Sequence, residues 1–441
     1  MKPLKRKFIK SVIMASSLVM LLAGCGQEAS SSTTSQSNNK QGNPVEIEFW
    51  YGNSGVIGET TKDLVEQFNQ SQDEVKVNAV FQESTNNIGK KLLTAIVGNA
   101  VPDVVQLNAR FWPSFAYNKA LLPLDPYIQN DPEFNYSDFV DSFVDNTLIE
   151  GKTYTLPFNR STPILYYNKD IVKEIGLDLE HPVSTWDEMM AAAKKATVIK
   201  DGKTERFGYA SLLPPLYYYS LMWSNGGDIL SPDQKDVVID QAPAIQGLEM
   251  YRKMIYDDKT MMQPLGGNRD GDQEMINFQN GKVAFLLAST GDLNQIQNNV
   301  KFELGVDFVP KFKEYAVPST SGGNLAIVAK APKEKQDAAW KFIKFLTDKQ
   351  QTIYFAQHTG YMPIRKSAIE APEMVKFYKE NPFFKTTVDQ LPYGKGIPVV
   401  PNFEKIETEI QNALGKTYAE NVPAQESMKE AADKIRELLQ K

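Results

Sequence analysis

From Val45 onward the chain switches repeatedly between two hydrophobic periods. Val45-Glu-Ile-Glu-Phe-Trp50 alternates apolar and acidic residues, the period of a half-buried strand. The turn residues Gly52, Ser54 and Gly55 follow, and Leu64, Val65 and Phe68 then recur on one helical face. Val75 to Phe81 predicts a second strand, and Ile88 to Ile96 a second amphipathic helix that stops near Gly98. Val101-Pro-Asp-Val-Val-Gln-Leu107 has a nearly continuous apolar end, as expected of a buried parallel strand. The order strand-helix-strand-helix-strand predicts a doubly wound α/β lobe.

The stretch Pro157-Phe-Asn-Arg-Ser-Thr-Pro163 interrupts that rhythm. Each proline sets its own φ and pushes the residue before it toward extended geometry, so the polar run predicts an extended connector. Ile164-Leu-Tyr-Tyr167 then reads as β-like and Ile171 to Ile175 as helical. Beyond residue 170 helices dominate. Thr185-Trp-Asp-Glu188 fits a capping box, with Thr at the cap and Glu three residues later. Ile245 to Tyr256, Gln273 to Phe278 and Gln336 to Leu346 predict further helices, while Val283 to Leu287 and Leu325 to Ala329 have strand length. Two helices close the chain, one carrying Phe403, Ile406, Ile410 and Leu414, the other Met428, Ile435, Leu438 and Leu439.

A body of about 400 residues exceeds what one core usually serves, so two domains are expected. The strand-rich return after the helical region predicts discontinuous lobes. Residues 44–159 and 289–330 are expected to form the first, and 160–288 and 331–441 the second. The chain would then cross more than once, with a cleft at the hinge, where ligands often bind.

Composition changes the picture at the ends. Lys2, Lys5, Arg6, Lys7 and Lys10 precede the mainly apolar Ser11 to Leu22, then Ala23, Gly24 and Cys25. This has the form of a secretory signal peptide over residues 1–24, too short for a comfortable membrane span. Cys25 is the one cysteine in the chain, so an intramolecular disulfide is excluded. Residues 25–43 are rich in Ser, Gln, Asn and Thr, with almost nothing apolar, and read as a flexible tether. The net charge of the whole chain is −6, and loss of the basic leader would make the remainder more acidic, which argues against a nucleic-acid partner.

Catalytic sets are scarce. The two histidines, His181 and His358, exclude a metal site built on several His. His181 lies in a Glu-His-Pro turn that reads as exposed surface. No phosphate-cradling glycine loop with lysine and no dinucleotide fingerprint is present. Paired carboxylates for glycoside hydrolysis stay open, since 54 acids offer many pairs and none stands out. Neither a cofactor nor a metal is expected.

Binding chemistry is better represented. Rings stack on the apolar face of a sugar or polyol, while amides, hydroxyls and carboxylates bond its rim. Such groups fall near expected inter-lobe loops: Trp50, Tyr51 and Asn53; Asn108 and Trp112; Asn159, Arg160, Ser161 and Thr162; Tyr217, Tyr219 and Trp223; Ser289 and Thr290; Gly322, Gly323 and Asn324; and Tyr361. Any one ring reads as core, but their concentration in loops after strands points to a site as a set.

These residues carry a family resemblance that spans nearly the whole chain after the leader. Leu22-Ala23-Gly24-Cys25 resembles a bacterial lipobox. With the polar tether and Pro157-Phe-Asn-Arg-Ser-Thr-Pro-Ile-Leu-Tyr-Tyr-Asn-Lys-Asp170, it resembles the extracytoplasmic solute-binding lipoproteins of ABC importers, in the sugar- and glycerol-phosphate-binding class. Gly208-Tyr-Ala-Ser211, Phe278-Gln-Asn-Gly281 and Thr359-Gly-Tyr-Met-Pro-Ile364 look much like the glycerol-3-phosphate-binding branch. The resemblance implies an α/β, two-lobed, type II periplasmic-binding-protein-like fold, a ligand cleft at the hinge, and no enzymatic activity. It also implies lipidation of Cys25, a position on the extracytoplasmic face of the cell membrane, and docking to permease subunits; a monomer is expected. Carried over by motif, Ser161 lies at the hinge position that bonds ligand, and Ser289 or Thr290, Gly322 and Tyr361 match further pocket positions.

Two departures bear on the ligand. The glycerol-3-phosphate pattern has a Trp pair after its Gly-Tyr-Ala-Ser element, where this chain has Leu212 to Tyr219. It also has an Arg after a Lys-Gly, where Lys395-Gly396 is followed by Ile397-Pro-Val399. Without that Arg a phosphate loses a charge-assisted partner that Lys395 or Arg160 would have to replace. The expected ligand is a neutral carbohydrate or polyol; glycerol 3-phosphate or a glycerophosphodiester is the second reading. An exported glycoside hydrolase is the alternative of another class.

Overall fold

Two five-stranded sheets hold the chain together, and three crossings join them. The structure, a computed structural model, describes residues 43–264 and 272–440; the leader, Cys25 and nearly all of the tether lie outside these residues. The strands are β1 (Val45–Tyr51), β2 (Val75–Phe81), β3 (Val104–Asn108), the short pair β4 (Leu148–Ile149) and β5 (Lys152–Thr153), β6 (Leu156–Ser161), β7 (Pro163–Asn168), β8 (Val198–Lys200), β9 (Lys203–Ser211), β10 (Val283–Ser289), β11 (Leu304–Asp307), β12 (Val317–Pro318), β13 (Ser321–Ile327) and β14 (Gly394–Lys395).

The first sheet has the order β2-β1-β3-β13-β6. β1 runs parallel to β2 and β3, whereas β13 is antiparallel to β3 and β6. β3 shows how the pattern works. Val104 enters the main core, while Val105 and Leu107 enter a smaller core with Ile88, Leu92 and Trp112, all fully buried. Strand period two therefore feeds both faces at once, and helices Gly55–Ser71 and Thr85–Gly98 supply the covering stripes.

The second sheet has the order β11-β7-β10-β9-β8. β7 and β10 are buried throughout, so this sheet is covered on both faces. Tyr166 and Tyr167 meet that burial with hydroxyl bonds to the carbonyls of Ser289 (2.7 Å) and Leu179 (2.8 Å). The capping box stands at the start of helix Trp186–Ala196, with Glu188 N donating to Thr185 Oγ1 at 3.2 Å and Thr185 N to Glu188 Oε2 at 3.0 Å.

The sheets exchange chain at β6–β7 through Thr162, between β11 and β13, and between helices Lys349–His358 and Pro382–Asp389. Two parts of the expected division differ from this. β11, placed by the pattern with the first lobe, pairs with β7 in the second sheet. Helix Lys333–Leu346, placed with the second lobe, packs on β1 and β13 of the first. A helical stripe states which face is buried, not against which sheet, and four residues of strand carry too little period to choose a partner. Helices Phe403–Glu420 and Ala424–Leu439 pack on Ala242–Tyr256 of the second lobe. No helix among the described residues is long and apolar enough to cross a membrane.

Candidate ligand-binding site

β1 and β3 both deliver their carboxyl ends to the gap between the sheets, the usual place for a ligand in an α/β sheet. The turn after β1 brings Asn53 there, β3 ends on Asn108, and the turn after it brings Arg110. From the second lobe come Ser289 at the end of β10 and Pro214, Pro215 and Tyr217 at the start of helix Pro215–Ser224. Thr320, Ser321, Gly322 and Tyr361 come from the crossings. They enclose a cavity of about 430 Å³.

Buried amides tie its floor together. Gln106 of β3 is fully buried. Its Oε1 accepts from Gly52 N at 2.9 Å, and its Nε2 donates to Asn53 Oδ1 at 2.7 Å and Asn159 Oδ1 at 2.9 Å. Asn159 Oδ1 also accepts from Gly323 N at 2.9 Å. One side chain thus joins the β1 turn, β3 and the first crossing. Gln106 is not among the residues singled out from sequence, although a polar residue inside Val104-Val-Gln-Leu107 is the available signal.

The crossings are bonded to one another as well. Thr162 N donates to Thr290 Oγ1 (3.2 Å) and Thr290 N to the Thr162 carbonyl (2.9 Å). Gln390 Nε2 donates to Pro163 O at 2.7 Å and Thr162 Oγ1 at 3.2 Å, while its Oε1 accepts from Val309 N at 2.9 Å. The Ser161 and Thr320 hydroxyls are buried and hold no hydrogen bond among the described residues.

Of the residues singled out from sequence, Asn53, Asn108, Tyr217, Ser289, Gly322 and Tyr361 line the cavity. The others stand elsewhere. Asn159, Ser161, Thr162, Thr290 and Gly323 form the bonded crossing beneath it. Asn324 is buried, with its amide donating to Thr155 Oγ1 at 2.9 Å. Tyr51 is a core ring, 6.0 Å from Phe49 and 5.5 Å from Phe81 between centroids. Trp112 is also core, its indole donating to Asn146 Oδ1 at 3.1 Å. Trp50 packs against the smaller core. Tyr219 and Trp223 stack on each other, 5.6 Å between centroids, and do not line the cavity. The pattern could not separate these rings from Tyr217, because all of helix Pro215–Ser224 except Leu216 is buried and the helix has no polar side to orient it. Trp223→Phe is expected to lower stability by about 1 kcal/mol through loss of the 3.0 Å indole bond to Asp228, and to leave ligand affinity unchanged; chemical denaturation with calorimetry checks both.

Charge at the cavity is already engaged. Arg110 Nη1 meets Glu407 Oε2 at 2.8 Å across the gap, with the two side chains only 20% and 10% exposed. Ser114 Oγ donates to Glu404 Oε2 at 2.8 Å beside them. Tyr219 lies nearby; burial first, then Glu407, hold its hydroxyl well above the usual tyrosine range. Arg110 and Glu407 are far apart in sequence, so no local pattern announces the pair. Glu407→Gln is expected to cost roughly 1–3 kcal/mol, since it leaves a half-screened guanidinium with a weaker acceptor; the denaturation midpoint reads it. Lys395 Nζ pairs with Asp228 Oδ2 at 2.5 Å and sits 5.0 Å from the Trp223 ring centroid, outside the lining. No group of three acids, histidines or cysteines among the described residues could hold a metal.

Comparison with known proteins places this cleft. The profile of the family described as "Bacterial extracellular solute-binding protein" matches residues 63–386. The sn-glycerol-3-phosphate-binding periplasmic protein UgpB of Escherichia coli K12 is 27% identical over 413 residues, 90% of this chain and 92% of the relative. The crystal structure of UgpB from Mycobacterium tuberculosis in complex with glycerophosphocholine superposes with a TM-score of 0.80 at 25% identity, over 89% of this chain and 98% of that one. Maltose-bound MalE3 of T. maritima shares the fold, with a TM-score of 0.77 at 24% identity over 89% and 100% of the two chains. The two sheets and their cleft are thus the two-lobed type II fold, and the chain belongs to the bacterial extracellular solute-binding proteins.

Proposed function

We propose that this protein captures a neutral carbohydrate or polyol in the 430 Å³ cavity and delivers it to the permease of an ABC importer. One observation carries the preference for a neutral ligand. The single cationic side chain lining the cavity, among the described residues, is Arg110, and it is already paired with Glu407. The substitutes for a missing phosphate-binding arginine are engaged too: Lys395 holds Asp228, and Arg160 is buried on two carbonyls. Around Tyr217 and Tyr361 the lining instead presents amides and hydroxyls, among them that of Thr320, which holds no hydrogen bond among the described residues. Rings for an apolar sugar face and neutral groups for its rim are what a polyol requires.

A glycerol phosphate or phosphodiester is the second reading, favoured by the relatives named above. Calorimetry of the chain from Asn43 onward, which forms one compact unit, separates the two. Saccharides and polyols are expected to bind, and binding confined to phosphorylated compounds would overturn the neutral ligand. Tyr361→Ala is expected to weaken binding by roughly 1–3 kcal/mol; an unchanged Kd would return that ring to the core.

The cavity also argues for binding without reaction. Of the three carboxylates that line it, Asp272, Asp292 and Glu407, two are committed to structure: Asp292 accepts from Ser289 N at 3.2 Å and Glu407 holds Arg110. Steady hydrolysis of a glycoside panel by purified protein would refute this. Export, lipidation of Cys25 and a monomeric state complete the proposal, supported by the leader, lone cysteine and tether of the sequence. Cys25→Ser is expected to release the protein from the membrane fraction.

A further inference from the structure

The amides on the cavity floor are wired in one direction. Two backbone N–H groups set it, because a main-chain nitrogen can only donate. Gly52 N donates to Gln106 Oε1 at 2.9 Å. The Gln106 oxygen is thereby occupied, and Nε2 is the end that meets Asn53 Oδ1 at 2.7 Å and Asn159 Oδ1 at 2.9 Å. Gly323 N also donates to Asn159 Oδ1, at 2.9 Å, which fixes the direction of that amide a second time. Packing holds the arrangement, since Gln106 is fully buried and a Cβ on Gly323 would lie 2.7 Å from its Cγ.

The consequence reaches the cavity through Asn53. Its Oδ1 accepts from Gln106 Nε2 and, at 3.3 Å, from Asn159 Nδ2, so its oxygen is turned to the floor. Its Nδ2 holds no hydrogen bond among the described residues and is the end left for the cavity that Asn53 lines. Asn108, on the neighbouring strand β3, is turned the same way. Its Oδ1 accepts from Arg110 N at 3.2 Å, and its Nδ2 is unbonded among the described residues. Turning Asn53 over would set its NH₂ against those of Gln106 and Asn159. Turning Gln106 over would leave Gly52 N facing an NH₂. Either change leaves buried donors without acceptors. A hydroxyl such as that of Thr320 can donate or accept, whereas the free ends of these two amides only donate.

We infer that Gln106 is a positioning residue for ligand specificity, holding Asn53 so that the wall at the ends of β1 and β3 binds oxygens that accept a hydrogen bond and rejects groups that must donate one. On the neutral carbohydrate or polyol reading, on which this rests, the ligand turns one of two kinds of oxygen toward Asn53 and Asn108. The first is a ring, glycosidic or ether oxygen, and the second is a hydroxyl whose own hydrogen points elsewhere.

Neutron crystallography of the deuterium-exchanged protein reads the wiring directly. Deuterons are expected on the cavity side of Asn53, and on Gln106 toward both asparagine oxygens. An Asn53 oxygen facing the cavity overturns the inference whatever the ligand is. Calorimetry with glucose, maltose, lactose, glycerol and sorbitol, and with their mono-O-methyl ethers, reads the effect on binding, since an ether oxygen accepts but cannot donate. In Asn53→Asp one carboxylate oxygen still accepts from Gln106 and Asn159, and the other replaces the NH₂ at the cavity. At one hydroxyl position of a compound that binds, this variant is expected to lose roughly tenfold more affinity for the ether than for the unmodified compound. Gln106→Glu is expected to produce the same change at the same position, because an acceptor beneath Asn53 turns its amide over. If Gln106→Glu does not fold, Asn53→Asp, which leaves the buried amides in place, still decides. Equal losses for ether and unmodified compound at every position, as a merely structural role would give, overturn the inference and leave the neutral-ligand reading standing. Binding of no compound in the panel overturns that reading instead, with the wiring still decided by the deuterons.

Discussion

Gly322→Val is expected to lower the unfolding free energy by about 4 kcal/mol or more and to remove ligand binding with it. Gly322 has a φ of 105°, a conformation that a β-branched residue rarely adopts. Its backbone also lies against β6, where Arg160 is its partner. A Cβ there would stand 1.9 Å from the Asn159 carbonyl oxygen and 3.4 Å from Cε1 of Tyr361. Relief requires β13 to separate from β6, which unpairs the first crossing from the strand that lines the cavity. Strain and clash act on the same atoms, so neither can relax without the other. Gly415→Ala is the matched control. Gly415 lies inside helix Phe403–Glu420 with nothing within 4 Å of a Cβ, so that change is expected to stabilise by about 0.5–1 kcal/mol. Urea denaturation of both variants gives the comparison, and a Gly322→Val protein as stable as the parent would remove the argument.

Arg160→Ala is expected to cost roughly 3–5 kcal/mol. The residue is fully buried, and burial lowers its pKa to about 9, so it is still charged at neutral pH. Its guanidinium donates from Nη1 to Thr320 O and from Nη2 to Phe143 O, both at 3.2 Å, while Nε holds no bond among the described residues. Its carbonyl accepts from Met362 N at 3.1 Å. One residue of the first crossing therefore holds the second through Thr320 and the third through Met362. Truncation leaves two buried carbonyls without donors and a void the size of the side chain. Arg160→Met keeps most of the volume and drops the buried charge, so it is expected to cost less than Arg160→Ala. The ordering of the two variants by denaturation midpoint is the measurement. Equal losses would place the effect in packing-independent bonding alone.

How much of this was legible beforehand differs from element to element. β1, β2 and the capping box at Thr185 are local, and each could be read from a few adjacent residues. The connector at Pro157–Pro163 was legible for the same reason, since two prolines constrain φ where they stand. By sequence alone Arg160 belongs with it among the candidate ligand groups. The structure instead makes it the internal brace of the crossings, because its partners Phe143, Thr320 and Met362 come from three distant segments. Gln106 and Gln390 escaped for a related reason. A buried amide is conspicuous only when its surroundings are known to be apolar, and those surroundings assemble only on folding.

The same distinction holds for the molecule as a whole. Hydrophobic period, proline and capping chemistry act over a few residues, so the sequence by itself determined two α/β lobes, the polar crossing between them and the family resemblance. Which sheet each late element joined was decided in three dimensions, as β11 and helix Lys333–Leu346 illustrate. So was the division of the aromatic set, with Tyr217 and Tyr361 facing the cavity and Tyr51, Tyr219 and Trp223 packed away from it. Burial is a property of all the neighbours that reach a side chain, and contacts across hundreds of residues leave no periodic trace in the chain.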